Sequence, residues 1–255
     1  SETAAQLRSA NEKLTQLSLQ KDSFLSQISH ELRTPMTSIR SFSEILRDAK
    51  GMKATDKTRY ASIIHSETIR LTRLLDDLLD LSVLENGQVT LNMRTGQLGD
   101  VLDQAVITAL AGAMPRLKIV RDTQAEAVTL MTDLDRLAQV FINLVANAQK
   151  YCRAAEPQLS IRVQQNHETL TIDFADNGEG IAPDAQAVIF EKFFRISGVE
   201  GEGAGLGLAI CHEIMTRLGG DITYLPQVAG TAFRVSLPVS VILSQPQKRV
   251  VDALT

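Results

Sequence analysis

The sequence predicts an α+β protein in which a helical hairpin precedes an α/β sandwich. Up to about residue 85, apolar residues recur at the three- and four-residue spacing of amphipathic helices. After the turn signal Glu85-Asn86-Gly87 the pattern changes, and short alternating stretches are interspersed with helical ones. We therefore expect four segments: a helical lead-in or coiled-coil linker over 1–21, a hairpin over 22–87, a sandwich over 88–240 and a C-terminal tail over 241–255.

Composition and charge exclude several classes of protein. The chain has 255 residues, 44% of them hydrophobic, which is enough for two modest domains. A net charge of −4 gives no broad footprint for nucleic acid, so we discount nucleic-acid binding. Cys152 and Cys211 form neither a close metal-ligand pair nor a disulfide framework, which favours free thiols in a reducing, cytoplasmic compartment.

A membrane span is not predicted within this sequence. No apolar run approaches the roughly 20 residues that a span requires, and the N-terminus has no signal-like core. Because the chain begins at Ser1, we expect a sensor or membrane-anchoring domain, with an anchor in the inner or plasma membrane, to belong to the full-length protein.

The predicted hairpin consists of two long helices. Leu7, Leu14 and Leu17 have heptad-like spacing in the lead-in, and the first helix should end near Gly51, where glycine offers a C-terminal stop. The second should begin near Thr55 or Asp56, which are suitable N-caps. Two helices cannot bury their apolar stripes alone, so we expect a homodimer that forms a four-helix bundle. The stripe residues in question are Phe24, Ile28, Leu32, Leu71, Leu75 and Leu78.

His30 lies on the polar side of the first helix. At about 100° per residue it falls roughly 160° from Ile28, while Thr34 falls about 40° from His30 and Glu31 is adjacent. An exposed imidazole beside a carboxylate is a candidate nucleophile, because neutral imidazole is abundant at pH 7. The alternative is a solvated surface histidine. Pro35 removes a backbone donor just after this cluster.

The predicted sandwich has a sheet covered on one face by helices. Helices are expected over 98–113, 133–151 and 205–218. Strands are expected over 89–93, 117–121, 127–131, 158–165, 169–175, 221–225 and 231–237. Residues 241–255 show no convincing pattern.

One helix and two glycine-rich loops suggest a nucleotide site. Asn143, Asn147 and Lys150 share the polar face of the 133–151 helix with Arg136, and amide oxygens suit Mg²⁺, although a polar face can be merely solvated. The stretch 176–181 follows a strand and could also be an acidic loop, while 203–208 opens a helix whose free N–H groups favour phosphate. The Rossmann and P-loop patterns both fail, since Leu208 replaces the third glycine and no Gly-Lys-Ser/Thr occurs.

These motifs resemble the boxes of two-component sensor histidine kinases, in the order of that family. Ser29 to Pro35 resembles the phosphoacceptor box, and Asn143 to Tyr151 the asparagine box. The two glycine boxes correspond to 176–181 and 203–208, the phenylalanine box to 190–195 and the closing glycine element to 230–233. The resemblance spans about residues 22–238. One departure is Arg153-Ala154-Ala155, where relatives often carry a threonine or serine and a proline.

The resemblance implies a Bergerat (GHKL) ATP-binding domain and a role for each matched residue. Asp176 would bind the adenine amino group, Asn147 would hold Mg²⁺, and Asn143 and Lys150 would assist the phosphates. Phe193 and Phe194 would anchor the lid, although an aromatic pair could be only core. The full set of implied ATP-site residues is Asn143, Asn147, Lys150, Tyr151, Asp176, Gly178, Gly180, Ile181, Phe193, Arg195, Gly203, Gly205, Leu206, Gly207, Leu208 and Thr231.

The predicted function is therefore that of a histidine kinase core. It would phosphorylate His30 from Mg-ATP, with Glu31 orienting or deprotonating the imidazole, and pass the phosphoryl group to an aspartate of a response-regulator receiver domain. Glu31 to Thr34 resembles the family's Glu-x-x-Thr phosphatase pattern, with Thr34 positioning a water. The alternatives are a related ATPase without phosphohistidine, which would not need His30, and a nonenzymatic dimerisation scaffold, against which Asn147 and Asp176 argue.

Overall fold

A computed structural model describes residues 2–87, 90–111, 117–195, 204–226 and 229–244. The chain divides into two compact units, with the boundary between Leu78 and Leu79. The first is called the hairpin unit. The second begins at Leu79 and is called the ATP-binding unit, after the function that the sequence predicts for it. Among the described residues, no helix combines the length and the apolar character needed to cross a membrane.

The hairpin unit is formed by helix α1, Glu2–Asp48, and helix α2, which begins at Ala54 and continues to Glu85. Gly51, in the connection, has φ +81°, a conformation that glycine adopts without strain. Phe42 of α1 stacks on Tyr60 of α2 with ring centroids 5.3 Å apart. The expected lead-in continues α1 without a break, whereas the side chains of Leu7 and Leu17 lie outside the described part.

The ATP-binding unit contains two sheets, whereas the sequence predicted one. The larger sheet has the strand order β2-β4-β5-β7-β6, in which β2 and β4 are parallel and the other pairs antiparallel. A three-stranded sheet has the order β1-β3-β8, with both pairs antiparallel. The strands are Met93–Gln97 (β1), Lys118–Arg121 (β2), Thr129–Asp133 (β3), Gln158–Gln165 (β4), Thr169–Asp176 (β5), Asp221–Leu225 (β6), Ala232–Pro238 (β7) and Ile242–Ser244 (β8).

Four helices complete this unit: α3, Leu98–Leu110; α4, Leu134–Tyr151; the short α5, Pro183–Gln186; and α6, Gly207–Arg217. Residues Val239–Val241 form one 3₁₀ turn. Helix α4 packs against α3, α6 and β5, and its Phe141 lies against Phe174 with ring centroids 5.3 Å apart. The core of the unit therefore lies between α4 and the larger sheet, because the inward residues of β5 and β7 are buried there.

Asp133 determines where α4 begins. The sequence placed it as the first helical residue, but it is the N-cap, and its Oδ1 accepts the Arg136 N–H at 3.1 Å. Its Oδ2 accepts the Asn92 N–H at 2.9 Å, so one buried carboxylate also holds the segment before β1. Asp133 thereby fixes the helix that carries the asparagine box.

Two strand predictions were wrong. The strand expected over 89–93 is β1 at Met93–Gln97; residues 88–89 lie outside the described part, and 90–92 are irregular. Residues Ile242–Ser244, expected to lack regular structure, form β8 beside β3. β1 carries polar residues at exposed positions and β8 is only three residues long, so neither shows the alternation on which prediction depends. The rest of the tail, 245–255, lies outside the described residues.

Candidate active site: a phosphoacceptor histidine and a nucleotide site

The phosphoacceptor cluster lies on α1 in the hairpin unit. His30 is 77% exposed, and the Oε1 of Glu31 lies 3.9 Å from its Nδ1. The Thr34 hydroxyl is exposed and donates to the His30 carbonyl at 3.3 Å, the bond that Ser and Thr often make within helices. The sequence predicted that these three side chains share one exposed region. His30 and Thr34 are exposed, whereas only 21% of the Glu31 side chain is exposed, and its carboxylate lies on the Nδ1 side of the imidazole.

Asp176, at the end of β5, lies at the centre of the candidate nucleotide site. Its Oδ1 accepts the Gly178 N–H at 2.8 Å and the Thr231 N–H at 3.1 Å. Burial raises the pKa of Asp176 above its ordinary value, while these hydrogen bonds oppose that rise. The carboxylate is therefore held in one orientation by two loops in a partly desolvated place.

Gly230 allows the two loops around Asp176 to touch. A Cβ at Gly230 would lie 1.9 Å from the Asp176 carbonyl oxygen, and its φ is +85°, so no other residue fits without displacement of the backbone. A Cβ at Gly180 would in turn lie 2.9 Å from the Gly230 carbonyl oxygen. Ile181 follows, and its carbonyl accepts a hydrogen bond from Gln186 of α5 at 2.8 Å. These residues form a cradle of close backbone contacts beside the carboxylate.

The side chain of Asn177 stabilises this cradle through hydrogen bonds, and this residue was not among the predicted site residues. Its side-chain oxygen accepts the Gln158 N–H at 2.8 Å and the Cys152 thiol at 3.2 Å, while its amide donates to the Glu156 carbonyl at 2.9 Å. These bonds join the end of β5 to the segment after α4. Nothing in the local sequence distinguishes Asn177 from an ordinary turn residue, since its partners lie far along the chain.

Helix α4 contributes the asparagine box. Asn143 and Asn147 are half-buried one turn apart, and the Asn143 amide donates to the Gly207 carbonyl in the first turn of α6 at 3.5 Å. The structure thus brings the asparagine box to the second glycine box. Lys150, at the end of the helix, has its Nζ 4.8 Å from the centre of the Tyr151 ring. Arg136, which shares this polar face in sequence, instead contacts Asp80 at 3.4 Å.

The second glycine box and the phenylalanine box meet at Gly205. Its carbonyl accepts the Phe193 N–H at 3.0 Å, and a Cβ there would lie 2.6 Å from the Phe194 carbonyl oxygen. Phe193 itself has φ +62°, a conformation uncommon outside glycine. Leu206 is buried, Gly207 begins α6 with Leu208 next, and Arg195 is exposed. Gly203 lies outside the described residues.

The residues present fit a magnesium nucleotide. The described part of the chain contains no cluster of three or more His, Cys, Asp or Glu side chains that could form a dedicated metal cage. Mg²⁺ in phosphate sites is characteristically held by one or two protein oxygens together with the phosphates themselves. Neutral amides are present in Asn143, which contacts Gly207 in the first turn of α6, and in Asn147, one turn further along α4.

Comparison with known proteins agrees with this site. The model of the "His Kinase A (phospho-acceptor) domain" matches residues 20–87, and that of the "Histidine kinase-, DNA gyrase B-, and HSP90-like ATPase" matches residues 132–241. A phosphoacceptor hairpin joined to a GHKL-type ATPase domain defines the class of protein as a protein-histidine kinase.

The proteins that resemble this chain include sensor kinases. The sensor protein kinase WalK of Staphylococcus haemolyticus is 32% identical over 233 residues, which are 89% of this chain and 38% of that protein. Acinetobacter baumannii histidine kinase AdeS is 26% identical with a TM-score of 0.67, over 82% of this chain and 97% of that chain. Full-length ShkA, solved with AMPPNP, is 26% identical with a TM-score of 0.62, over 85% of this chain and 45% of that chain. The chain belongs to the two-component sensor histidine kinases and carries their catalytic core; it spans 38% of the length of WalK.

Proposed function

We propose that this core transfers the γ-phosphoryl group of ATP to His30 and then to an aspartate of a response-regulator receiver domain. The observation that carries the proposal is the exposed imidazole with the Glu31 carboxylate on its Nδ1 side, in a chain that also holds a GHKL-type nucleotide site. A carboxylate on that side leaves Nε2 free to act as the nucleophile.

The chemistry assigns a task to each group. The Nε2 lone pair attacks the γ-phosphorus, the bond to the bridging oxygen breaks and ADP leaves, while the Nδ1 proton passes to Glu31. Asp176 receives the adenine amino group. Asn147 holds Mg²⁺ together with the phosphates, and Asn143 and Lys150 steady the phosphates. Bound Mg²⁺ offsets the negative charge that develops on the transferring group.

The remaining ATP-site residues shape the pocket. Gly178, Gly180, Ile181 and Thr231 form the cradle for the adenine ring, and Tyr151 places Lys150. The glycine edge, with Gly203, Gly205, Leu206, Gly207 and Leu208, approaches the phosphates, and Phe193 and Arg195 anchor the segment before it. The AMPPNP complex of the similar protein ShkA supports ATP as the nucleotide.

We also propose that the core acts as a homodimer in the cytoplasm. On α2, apolar side chains four residues apart remain exposed: Leu75 at 44%, Leu79 at 65% and Val83 at 44%. A second hairpin would cover such a row and complete a four-helix bundle. Cys152 and Cys211 are both free and buried, which suits a reducing compartment where ATP and the receiver domain are present.

The test is covalent labelling by γ-labelled ATP. His30→Gln should abolish the label while ATP affinity stays unchanged, because only the acceptor is lost. Asn147→Asp is the complementary variant: a charge replaces a neutral ligand, so Mg-ATP turnover should fall while α4 remains folded. A label that survives in His30→Gln, or that resists acid, would place the phosphate elsewhere and refute the proposal.

A phosphatase activity toward the regulator is proposed for Thr34. Its hydroxyl donates to the His30 carbonyl, which leaves both oxygen lone pairs able to accept from a water molecule. Thr34→Ala should slow dephosphorylation of the regulator and preserve autophosphorylation, whereas Thr34→Ser should keep both. An unchanged dephosphorylation rate in Thr34→Ala would leave the hydroxyl with only its helical hydrogen bond.

A further inference from the structure

A row of charged side chains connects the phosphoacceptor cluster on α1 to α2. Glu31 uses its two carboxylate oxygens for different partners: Oε1 lies 3.9 Å from His30 Nδ1, and Oε2 lies 3.8 Å from Arg70 Nη2. The carboxylate is mostly buried, with 21% of its side chain exposed. Its plane is therefore constrained from both helices of the hairpin.

Arg70 divides its guanidinium in the same way. Nη2 faces Glu31, while Nη1 lies 3.8 Å from Oε2 of Glu67, one turn earlier on α2. That Glu67 oxygen is buried and has no hydrogen-bond partner within the described part of the chain. A buried carboxylate oxygen requires a compensating cation, and Arg70 supplies it. Glu67 in return limits the positions that the long Arg70 side chain can adopt.

The alternation of charges has a consequence for His30. With Arg70 present, one oxygen of Glu31 is drawn away from the imidazole and the other is left on its Nδ1 side. Without Arg70, the Glu31 carboxylate would gain rotational freedom and repel Glu67, whose charge would no longer be compensated. The proton acceptor would then be poorly oriented when the reaction occurs, which general-base catalysis does not tolerate.

We propose that Arg70 is a positioning residue for the phosphorylation of His30, acting through Glu31, with Glu67 as its anchor. This inference rests on the proposed function. In the step concerned, the bond between Nε2 and the γ-phosphorus forms, the bond from that phosphorus to the bridging oxygen breaks, and the Nδ1 proton moves to Oε1 of Glu31. The ion pairs of Arg70 are with Glu31 and Glu67, so its effect should appear in the rate of this step and not in nucleotide affinity.

The forked shape of arginine matters as well as its charge. Two separate nitrogens face two carboxylates, and a lysine ammonium is a point charge that reproduces this arrangement only in part. A graded series of substitutions follows from the geometry. Arg70→Met removes the charge and the forked guanidinium but keeps the apolar stem, whereas Arg70→Lys keeps the charge. Glu67→Gln keeps Arg70 but weakens the contact that anchors it.

The experiment measures autophosphorylation of the full chain over a range of ATP concentrations. Arg70→Met should lower kcat by about tenfold with KM for ATP unchanged, which is part of the 10²- to 10⁴-fold that a positioned base typically contributes. Arg70→Lys should recover a large part of the loss, and Glu67→Gln should show a smaller one. Arg73→Met is the matched control, since Arg73 is an exposed arginine one turn further along α2 and should behave like the wild type.

The outcomes separate this inference from the proposed function. An Arg70→Met variant with the wild-type kcat would overturn the role of Arg70 while His30→Gln still abolished labelling. If Arg70→Lys lost as much activity as Arg70→Met and both lost helicity and thermal stability, the residue would be structural and the inference would fail. Label that persisted in His30→Gln would instead refute the proposed function itself.

Discussion

In the ATP-binding unit, β5 and β7 place every inward-facing Leu, Ile, Val and Phe among the buried side chains, whereas α1 and α2 leave Leu25, Met36 and Leu75 about half exposed. Among the described residues of the hairpin unit, Leu74 is the one large apolar side chain that is fully buried. A helix pair offers each helix a single neighbour, while a helix on a sheet contacts several strands. The ATP-binding unit therefore supplies its own core, and the exposed apolar side chains of the hairpin unit are those that the proposed second copy would cover.

The largest expected effect is in the core of the ATP-binding unit. Phe141→Ala should destabilise this unit by about 3–5 kcal/mol, because the ring is fully buried against Phe174 and its removal leaves a cavity. Hydrogen exchange of α4 and β5 amides in the full chain gives the free energy of opening, and Ile107→Ala, at an exposed position, is the control. An equal fall in the free energy of opening of the α1 and α2 amides would contradict the independence of the two units.

The next expected effect concerns a buried ion pair that stabilises the ATP-binding unit. Arg121 contacts Glu126 at 2.5 Å, and Glu126 is only 2% exposed; these contacts raise the pKa of Arg121 above its usual value. Arg121→Met leaves the Glu126 carboxylate buried without a positive partner. It should lower the free energy of opening, measured in the same way, by about 2–4 kcal/mol. Arg94→Met breaks a pair of the same length between exposed side chains and should cost under about 1 kcal/mol. Similar losses in both variants would show that burial is not the deciding factor.

At Asp176, a fall in pH should change the stability of the ATP-binding unit and its affinity for adenosine in opposite directions. Burial raises the pKa of Asp176, so its ionised form is lost as the pH falls, starting at a higher pH than for an ordinary aspartate. In the proposed function, that ionised form accepts the adenine amino group. The affinity for adenosine, which lacks titrating phosphates, should decline accordingly. Asp176→Asn should weaken adenosine binding by about 1.5–3 kcal/mol at neutral pH and remove this pH dependence.

The stability of the unit without nucleotide depends on pH with the opposite sign. A carboxylate whose pKa is raised in the folded state contributes stability below its unfolded pKa and loses it as the pH rises through the folded value. Asp176→Asn should therefore be at least as stable as the wild type at neutral pH in thermal unfolding. Adenosine binding by the wild type that stays constant across the acidic range would contradict the expectation for binding. An Asp176→Asn variant that unfolds at a lower temperature than the wild type at neutral pH would contradict the expectation for stability.

The smallest expected effect is in the hairpin. Leu75→Ala should weaken dimerisation of the full chain by about 1 kcal/mol per subunit, since this half-exposed leucine would be covered by the second copy. Sedimentation equilibrium measures the change, and Thr72→Ala, at an exposed position on the same helix, is the control. The fragment 22–87 should likewise be helical and dimeric, and a folded monomer would remove the argument for the bundle.

Local patterns predicted the elements of the sandwich better than their assembly. β4 was predicted at its observed bounds because Leu159 and Ile161 alternate with polar residues. The division into two sheets was not predicted, because it depends on pairings between distant strands such as β3 and β8. The sequence placed Asn143 and Arg136 on one polar face of α4. In the structure Asn143 contacts Gly207 and Arg136 contacts Asp80, and no local pattern reveals either partner.

The site shows the same division between motif and context. Asp176, the asparagines and the glycine edge were predicted because each occupies a motif of recognisable spacing. Asn177 and Arg70 were not predicted, since their contacts join segments that are remote in sequence. Their amide and guanidinium groups are unremarkable until the folded chain supplies their partners.

The end of α2 has a consequence for exchanging parts between related kinases. Leu81 and Leu84 are 1% exposed, and Arg217 of α6 donates to the Leu84 carbonyl at 2.7 Å, so the last two turns of this helix belong to the ATP-binding unit. A chimera joined at the turn Asn86-Gly87 would take Leu81 and Leu84 from one kinase and the ATP-binding unit that buries them from another. A junction between Leu78 and Leu79 keeps them with their native neighbours, so recombination should succeed inside the helix and not at its end.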